Sequence, residues 1–187
     1  MTCVHGGAAF IICAAAVAAP TICTMHLNHP PLPLRRVTLQ VNAAAVDLSL
    51  PTIASLAELL RDHLQLRGTK VACNQAACGA CTVLVDGAPV FACHLLAAQC
   101  QGSQVQTVEG LAAATGLHPL QQAFIDHDAL QCGYCTPGML MALKGALDAG
   151  VPPEREALAQ AISGNICRCG AYDHILEAAL DVASSCR

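Results

Sequence analysis

The sequence predicts an α+β fold, a small sheet domain followed by a helical bundle. Three observations carry this expectation. Apolar residues alternate in two hairpin-like stretches, at 37–50 and 82–91. One amphipathic run lies between them. After Gly110 the strand signals stop and four helical runs follow. The expected units are therefore residues 37–110 and 111–187, with residues 1–36 as an N-terminal extension.

The first hairpin is read from Val37, Leu39 and Val41 alternating with Thr38, Gln40 and Asn42, then Val46, Leu48 and Leu50 alternating with Asp47 and Ser49. This pattern buries one face of a strand pair. Ile53, Leu56, Leu60 and Leu64 then recur at helical spacing, with Glu58, Arg61 and Asp62 on the other faces. Thr82–Val85 and Ala88–Phe91 flank Asp86-Gly87, a two-residue hairpin turn signal, and Val105–Val108 reads as a last strand. The helical runs lie near 118–126, 137–148, 153–163 and 172–184, broken by Gly150, Pro152-Pro153 and Gly164-Asn165.

The composition excludes several classes. The chain has 187 residues, 55 % apolar, 12 % charged and 3 % aromatic, with a net charge of −4. Disorder needs low hydrophobicity and high charge, the opposite of this balance. Nine Lys and Arg are scattered without a basic stripe, which argues against nucleic-acid binding. The longest uncharged apolar run, Ala8–Ala19, is short of the ~20 residues a membrane helix needs, so no membrane span is expected. With no Trp, two Tyr and three Phe, an aromatic-lined substrate pocket is hard to build. Residues 1–36 carry no Lys or Arg before Arg35, and Ala18-Ala19-Pro20 is a poor cleavage site, against a signal peptide. The expectation there is a disordered extension or an early start, with Met25 as the alternative start.

Thirteen cysteines remain to be explained, and an odd number cannot all pair within the chain. Cys73, Cys78, Cys81 and Cys93 read C-x4-C-x2-C-x11-C, the plant-type spacing for a [2Fe–2S] cluster. Three ligands on one loop can wrap so small a cluster only if the backbone approaches closely, and Ala76, Ala77, Gly79 and Ala80 permit that. Zinc sites more commonly show two C-x2–4-C knuckles. The second quartet is C-x2-C at Cys132 and Cys135, 31 residues, then C-x-C at Cys167 and Cys169. Alone, that spacing suits zinc as well as iron–sulfur. Each pair precedes a helical run: Thr136-Pro137 reads as an N-cap and first helical residue, and a helix follows from Tyr172. Helix starts favour negative charge, and four thiolates around an oxidised two-iron core carry about −2 by formal counting.

Three segments together resemble one family. Lys70–Gly87 (KVACNQAACGACTVLVDG), Gln131–Met139 (QCGYCTPGM) and Gly164–Tyr172 (GNICRCGAY) resemble the small iron–sulfur subunit of the xanthine dehydrogenase and aldehyde oxidase family of molybdenum hydroxylases. The resemblance covers residues 37–187 and holds both quartets in order. It implies a plant-ferredoxin-like β-grasp domain followed by a small four-helix-bundle domain, each with one [2Fe–2S] cluster. It implies that Cys73, Cys78, Cys81 and Cys93 bind the outer cluster, and that Cys132, Cys135, Cys167 and Cys169 bind the inner one. Cys169 and Gln131 are the positions expected to contact the molybdopterin of a separate large subunit. Hydroxylation of an aldehyde or N-heterocycle would occur there, and this chain would pass electrons to an external acceptor, a flavin subunit or a cytochrome. No catalytic residue is expected in the chain itself, and the expected compartment is the cytoplasm, with co-export on a partner as the route to the periplasm.

The sequence departs from the family where Ala72 and Ala76 replace glycines, where Asn42-Ala43 replaces Asn-Gly in the first turn, and where Gly170-Ala171 replaces Thr-Gly. Alanine takes positive φ less readily than glycine, so the outer loop would be strained wherever Ala72 or Ala76 needs it. Two other readings compete: a free-standing ferredoxin-like carrier, against which the second quartet argues, and a zinc- or disulfide-stabilised interaction module, which would be colourless and redox-silent. His63, His94, His118, His127 and His174 show no metal-ligand spacing, and Cys100 and Cys186 read as free thiols.

Overall fold

The computed structural model describes residues 30–112 and 116–185. The N-terminal extension, with Cys3, Cys13 and Cys23, lies almost wholly outside the described residues, as does Cys186. From Leu32 onward the chain forms one compact unit.

Five strands make a mixed sheet: β1 (Leu34–Val41), β2 (Ala44–Pro51), β3 (Thr82–Val85), β4 (Ala88–Phe91) and β5 (Gln104–Gln106). Their spatial order is β2-β1-β5-β3-β4. Two antiparallel hairpins flank β5, which runs parallel to β1 and antiparallel to β3. Both hairpin turns have two residues at positive φ, Asn42 and Ala43 in the first, Asp86 and Gly87 in the second. That is the twist-matched turn that joins neighbouring strands with a two-residue loop. β1 begins three residues before the alternation does. Leu34–Arg36 are exposed, so no buried face marks them in the sequence, but the ladder to β2 extends over them and Arg36 pairs with Asp47 at 2.8 Å.

The helix over the sheet is shorter than the apolar spacing suggested. Ile53 is exposed and lies before it. Ser55 caps the helix: its side chain accepts from the Glu58 N–H at 3.2 Å, and Glu58 accepts from the Ser55 N–H at 2.6 Å. One α-turn, α1 (Leu56–Glu58), runs into a π-helical turn at Leu59–His63. Leu56, Leu59 and Leu60 are buried against Val37, Leu39, Val41, Val83 and Val105.

Four further helices, α2 (Pro119–Asp126), α3 (Thr136–Asp148), α4 (Arg155–Ala161) and α5 (Tyr172–Ser185), enclose a second core of Phe124, Met139, Met141, Leu143, Leu158 and Ile175. Leu84 of β3 joins this second core while Val83 faces the first. Successive strand residues point to opposite faces, so β3 is the wall between the two cores. α3 lies on that wall, and Gly145 permits the contact. A Cβ there would sit 2.9 Å from a Leu84 methyl.

Candidate metal centres

The first quartet is placed by a loop and a hairpin. Asn74, Ala76 and Gly79 all stand at positive φ, at 53°, 55° and 69°. The loop therefore curls back on itself, and the N–H groups of Gln75 and Ala77 point at the Cys73 sulfur from 3.5 and 3.4 Å. Those two donors, chiefly, lower the Cys73 thiol to about 6, aided by contact with the Cys78 thiol. Of the two alanines that replace family glycines, Ala76 takes the left-handed conformation and Ala72 does not. Cys81 and Cys93 flank the β3–β4 hairpin, whose register sets Thr82 opposite Phe91 and so brings the two buried thiols together. Burial pushes Cys81 up to about 12. Cys73 lies against the Cys78 thiol and Cys81 against the Cys93 thiol, and Cys78 also acts on Cys81 through its charge.

The second quartet is placed by helix starts. Cys135 itself is the N-cap of α3, so Thr136 and Pro137 are its first two helical residues, and the helix starts one residue earlier than the sequence reading. The correction arises because Cys135 makes no side-chain cap bond and so gave no cap signal. Cys135 pairs with the thiol of Cys167, and Cys132 acts on it through its charge. Burial pushes Cys135 up to about 12. Burial acts in the same sense on Cys167, but the Ala171 N–H, the Cys135 thiol and the N–H groups of Cys169 and Gly170 together outweigh it and lower that thiol. Gln131 and Cys132 are exposed, while Cys169 is half-buried.

The sequence reading missed the side chains that hold these loops. Tyr172 accepts from the Cys167 N–H at 2.8 Å and donates to the Asn165 carbonyl at 3.3 Å. Tyr134 reaches across to the other quartet, donating to the Val71 carbonyl at 2.8 Å. The chain has two tyrosines, and both lie in the cysteine motifs with their hydroxyls engaged. That coincidence was the available signal. The Ile166 N–H also donates to the Cys78 carbonyl at 2.9 Å, so the loops of the two quartets are directly bonded.

All nine described cysteines are free thiols. Among the described residues, no three Cys, His, Asp or Glu side chains converge on a point that would hold one metal ion. A two-iron cluster takes two side chains on each iron, and Cys73 lies against Cys78, Cys81 against Cys93 and Cys135 against Cys167. Paired thiols, inward-pointing N–H groups and one lowered thiol in each quartet fit such a group. Thiols pushed up to about 12 are the ones whose proton a metal must displace, so binding releases protons.

Residues 107–180 match the family described as the [2Fe–2S] binding domain. The chain is 47 % identical over 153 residues to the 6-hydroxypseudooxynicotine dehydrogenase complex subunit beta of Paenarthrobacter nicotinovorans, covering 81 % of this chain and 95 % of that one. It is 44 % identical to the aldehyde oxidoreductase iron-sulfur-binding subunit PaoA of Escherichia coli, covering 79 % of this chain and 71 % of the relative. The chain belongs to the small iron–sulfur subunits of the molybdenum hydroxylases. Two solved structures share the fold of this subunit. The quinoline 2-oxidoreductase of Pseudomonas putida 86 matches with a TM-score of 0.74 and 38 % identity, over 81 % of this chain and 97 % of that one. The aldehyde oxidoreductase of Desulfovibrio desulfuricans ATCC 27774 matches with a TM-score of 0.77 and 41 % identity, and the small subunit spans 17 % of that longer polypeptide. The α+β fold with a ferredoxin-like sheet and a helical bundle, the [2Fe–2S] chemistry and the electron-transfer role all follow from this membership. Relatives bear names such as beta, small and gamma subunit, so they work within multi-subunit oxidoreductases. No described helix is long and apolar enough to cross a membrane.

Proposed function

We propose that the chain holds two [2Fe–2S] clusters and relays electrons out of a molybdenum hydroxylase that oxidises an aldehyde or an N-heterocycle. Cys73, Cys78, Cys81 and Cys93 hold the outer cluster, and Cys132, Cys135, Cys167 and Cys169 the inner one. The observation that carries this reading is the contact of Cys73 with Cys78, Cys81 with Cys93 and Cys135 with Cys167, beside N–H groups directed at the Cys73 sulfur. When bound, each cluster takes up and releases one electron at a time. The chain's own residues direct N–H groups at the sulfurs, which stabilises the anionic centre. They also bury Cys81, Cys93 and Cys167 from water. The same reading assigns residues 37–110 to the ferredoxin-like domain and 111–187 to the helical one.

Leu130, Tyr134 and Ile166 are exposed apolar side chains beside the second quartet. A large subunit carrying molybdopterin would cover them, with Gln131 and Cys169 towards the pterin. Free thiols throughout the described residues suit a reducing compartment, and the proposed location is the cytoplasm. Electron paramagnetic resonance of the dithionite-reduced chain, together with metal analysis, tests the central claim. Two distinct signals and about four irons per chain are expected for two such clusters. A single signal, or zinc in place of iron, overturns it.

A further inference from the structure

The two cysteine-bearing loops meet at one buried carbonyl. The oxygen of Gly79, between Cys78 and Cys81, accepts from the Thr82 N–H at 3.1 Å, the Thr82 hydroxyl at 2.6 Å and the Asn165 side-chain amide at 2.9 Å. The same amide reaches the Thr82 hydroxyl at 3.1 Å. Asn165 and Thr82 are both buried, at 5 % and 3 % exposure. No side chain fits into this junction. A Cβ on Gly79 would lie 2.5 Å from the Gly164 carbonyl and 2.7 Å from the Asn165 amide nitrogen, and a Cβ on Gly138 would lie 2.4 Å from the Gly79 oxygen. Three segments therefore meet backbone to backbone here. One joins Cys78 to Cys81, one follows Cys135, and one precedes Cys167.

We propose that Asn165 is the positioning residue that sets the separation of the two metal centres. Its amide is the one side-chain donor that bridges from the helical half to the outer loop at this point. It stands two residues before Cys167, and its acceptor stands one residue after Cys78. A shift at this bond therefore moves a ligand of each centre. The neighbouring bond from Ile166 to the Cys78 carbonyl runs in the same direction and depends on the same alignment. A buried amide left without its acceptor carries a desolvation cost, so the bonded arrangement is strongly preferred over a loosened one. Asn165 is thus a spacer between centres and touches no cysteine sulfur among the described hydrogen bonds.

This inference rests on the reading of the quartets as two cluster sites, and one experiment separates the two claims. Two paramagnetic centres held close together split each other's resonance lines when both are reduced. The fully reduced wild-type chain should show this splitting, and partial reduction should remove it. Asn165→Asp, which keeps the shape but loses the donor, should narrow or abolish the splitting while both [2Fe–2S] signals persist. Thr82→Val should do the same from the other side of the junction, and Thr82→Ser, which keeps the hydroxyl, should restore it. If Asn165→Asp fails to assemble, the Thr82 pair still decides the matter. An unchanged splitting in Thr82→Val and Asn165→Asp, with only a lower melting temperature, overturns the spacer role. Absence of two signals in the wild type overturns the cluster reading instead.

Discussion

The two quartets solve the same problem with different kinds of structure. The proposed outer centre draws three of its cysteines from nine consecutive residues, curled by Asn74, Ala76 and Gly79 at positive φ. Its fourth, Cys93, is delivered by a hairpin only two residues beyond β4. The proposed inner centre draws its cysteines from two segments 31 residues apart, and Cys135 meets Cys167 where α3 and α5 share a core. The outer site is therefore a local structure supported by strained turns. The inner one is a tertiary structure supported by helix packing and by N–H groups ahead of α5. Damage to the bundle core should fall on the inner centre, and changes in loop strain should fall on the outer one.

The sharpest test of that division is ligand removal. Cys169→Ser should disrupt the inner paramagnetic signal and leave the outer one largely intact, and Cys78→Ser should do the reverse. Loss of both signals from either substitution would show that the two sites assemble as one unit. Next in size is a cavity in the bundle. Leu143 is fully buried in α3, and Leu143→Ala should cost about 2–5 kcal/mol. On heating, the inner signal should disappear at a lower temperature than the outer one. Simultaneous loss would mean that β3, which contributes to both cores, transmits the damage across the sheet.

Much of this contrast was legible in the sequence, and the losses have physical causes. Asp86-Gly87 announced its turn because the residue types match the backbone conformation found there. The cysteine motifs could be read because each, C-x4-C-x2-C, C-x2-C and C-x-C, is a local pattern. The start of α3 was misread by one residue, since a cysteine at an N-cap resembles no standard cap. Ile53 fitted the helical periodicity, yet Ser55 and Glu58 form a capping box that begins the helix after it. Asn165 and Thr82 were invisible, because a contact between residues 83 positions apart leaves no pattern in either segment. The role of Ala76 stood as a question in the sequence, and only the φ value answered it.

Loop strain offers a smaller but cleaner comparison. A non-glycine residue in the left-handed region costs roughly 1–2 kcal/mol, offset in part by the greater freedom glycine has when unfolded. Ala76→Gly should therefore stabilise the protein by on the order of 1 kcal/mol, read as a higher melting temperature. Ala43→Gly should give a similar gain in the first hairpin turn, which belongs to neither cysteine quartet. If the strain at Ala76 also bears on the outer centre, only Ala76→Gly should shift that cluster's redox potential. Equal behaviour of both variants in stability and potential would confine the strain to the backbone.

The smallest effect concerns pH and belongs to the helical half. His118 caps α2 by accepting the Leu120 N–H on its Nδ1 at 3.2 Å, which requires that nitrogen to be unprotonated. Burial, with Lys144 nearby, lowers the imidazole pKa below its ordinary value of 6.5. Because the folded value lies below the unfolded one, the folded state disfavours the protonated ring. The stabilisation is present above pH 6.5 and is lost as the pH falls through the lowered folded value. A cap of this kind contributes about 1 kcal/mol, so acidification should lower the melting temperature modestly. His118→Asn, which can cap at any of these pH values, should remove this part of the pH dependence. The inner signal should be the more acid-sensitive of the two in the parent chain, and that difference should shrink in the variant. An identical acid profile for both proteins would place the pH sensitivity in the cysteine loops rather than in the cap.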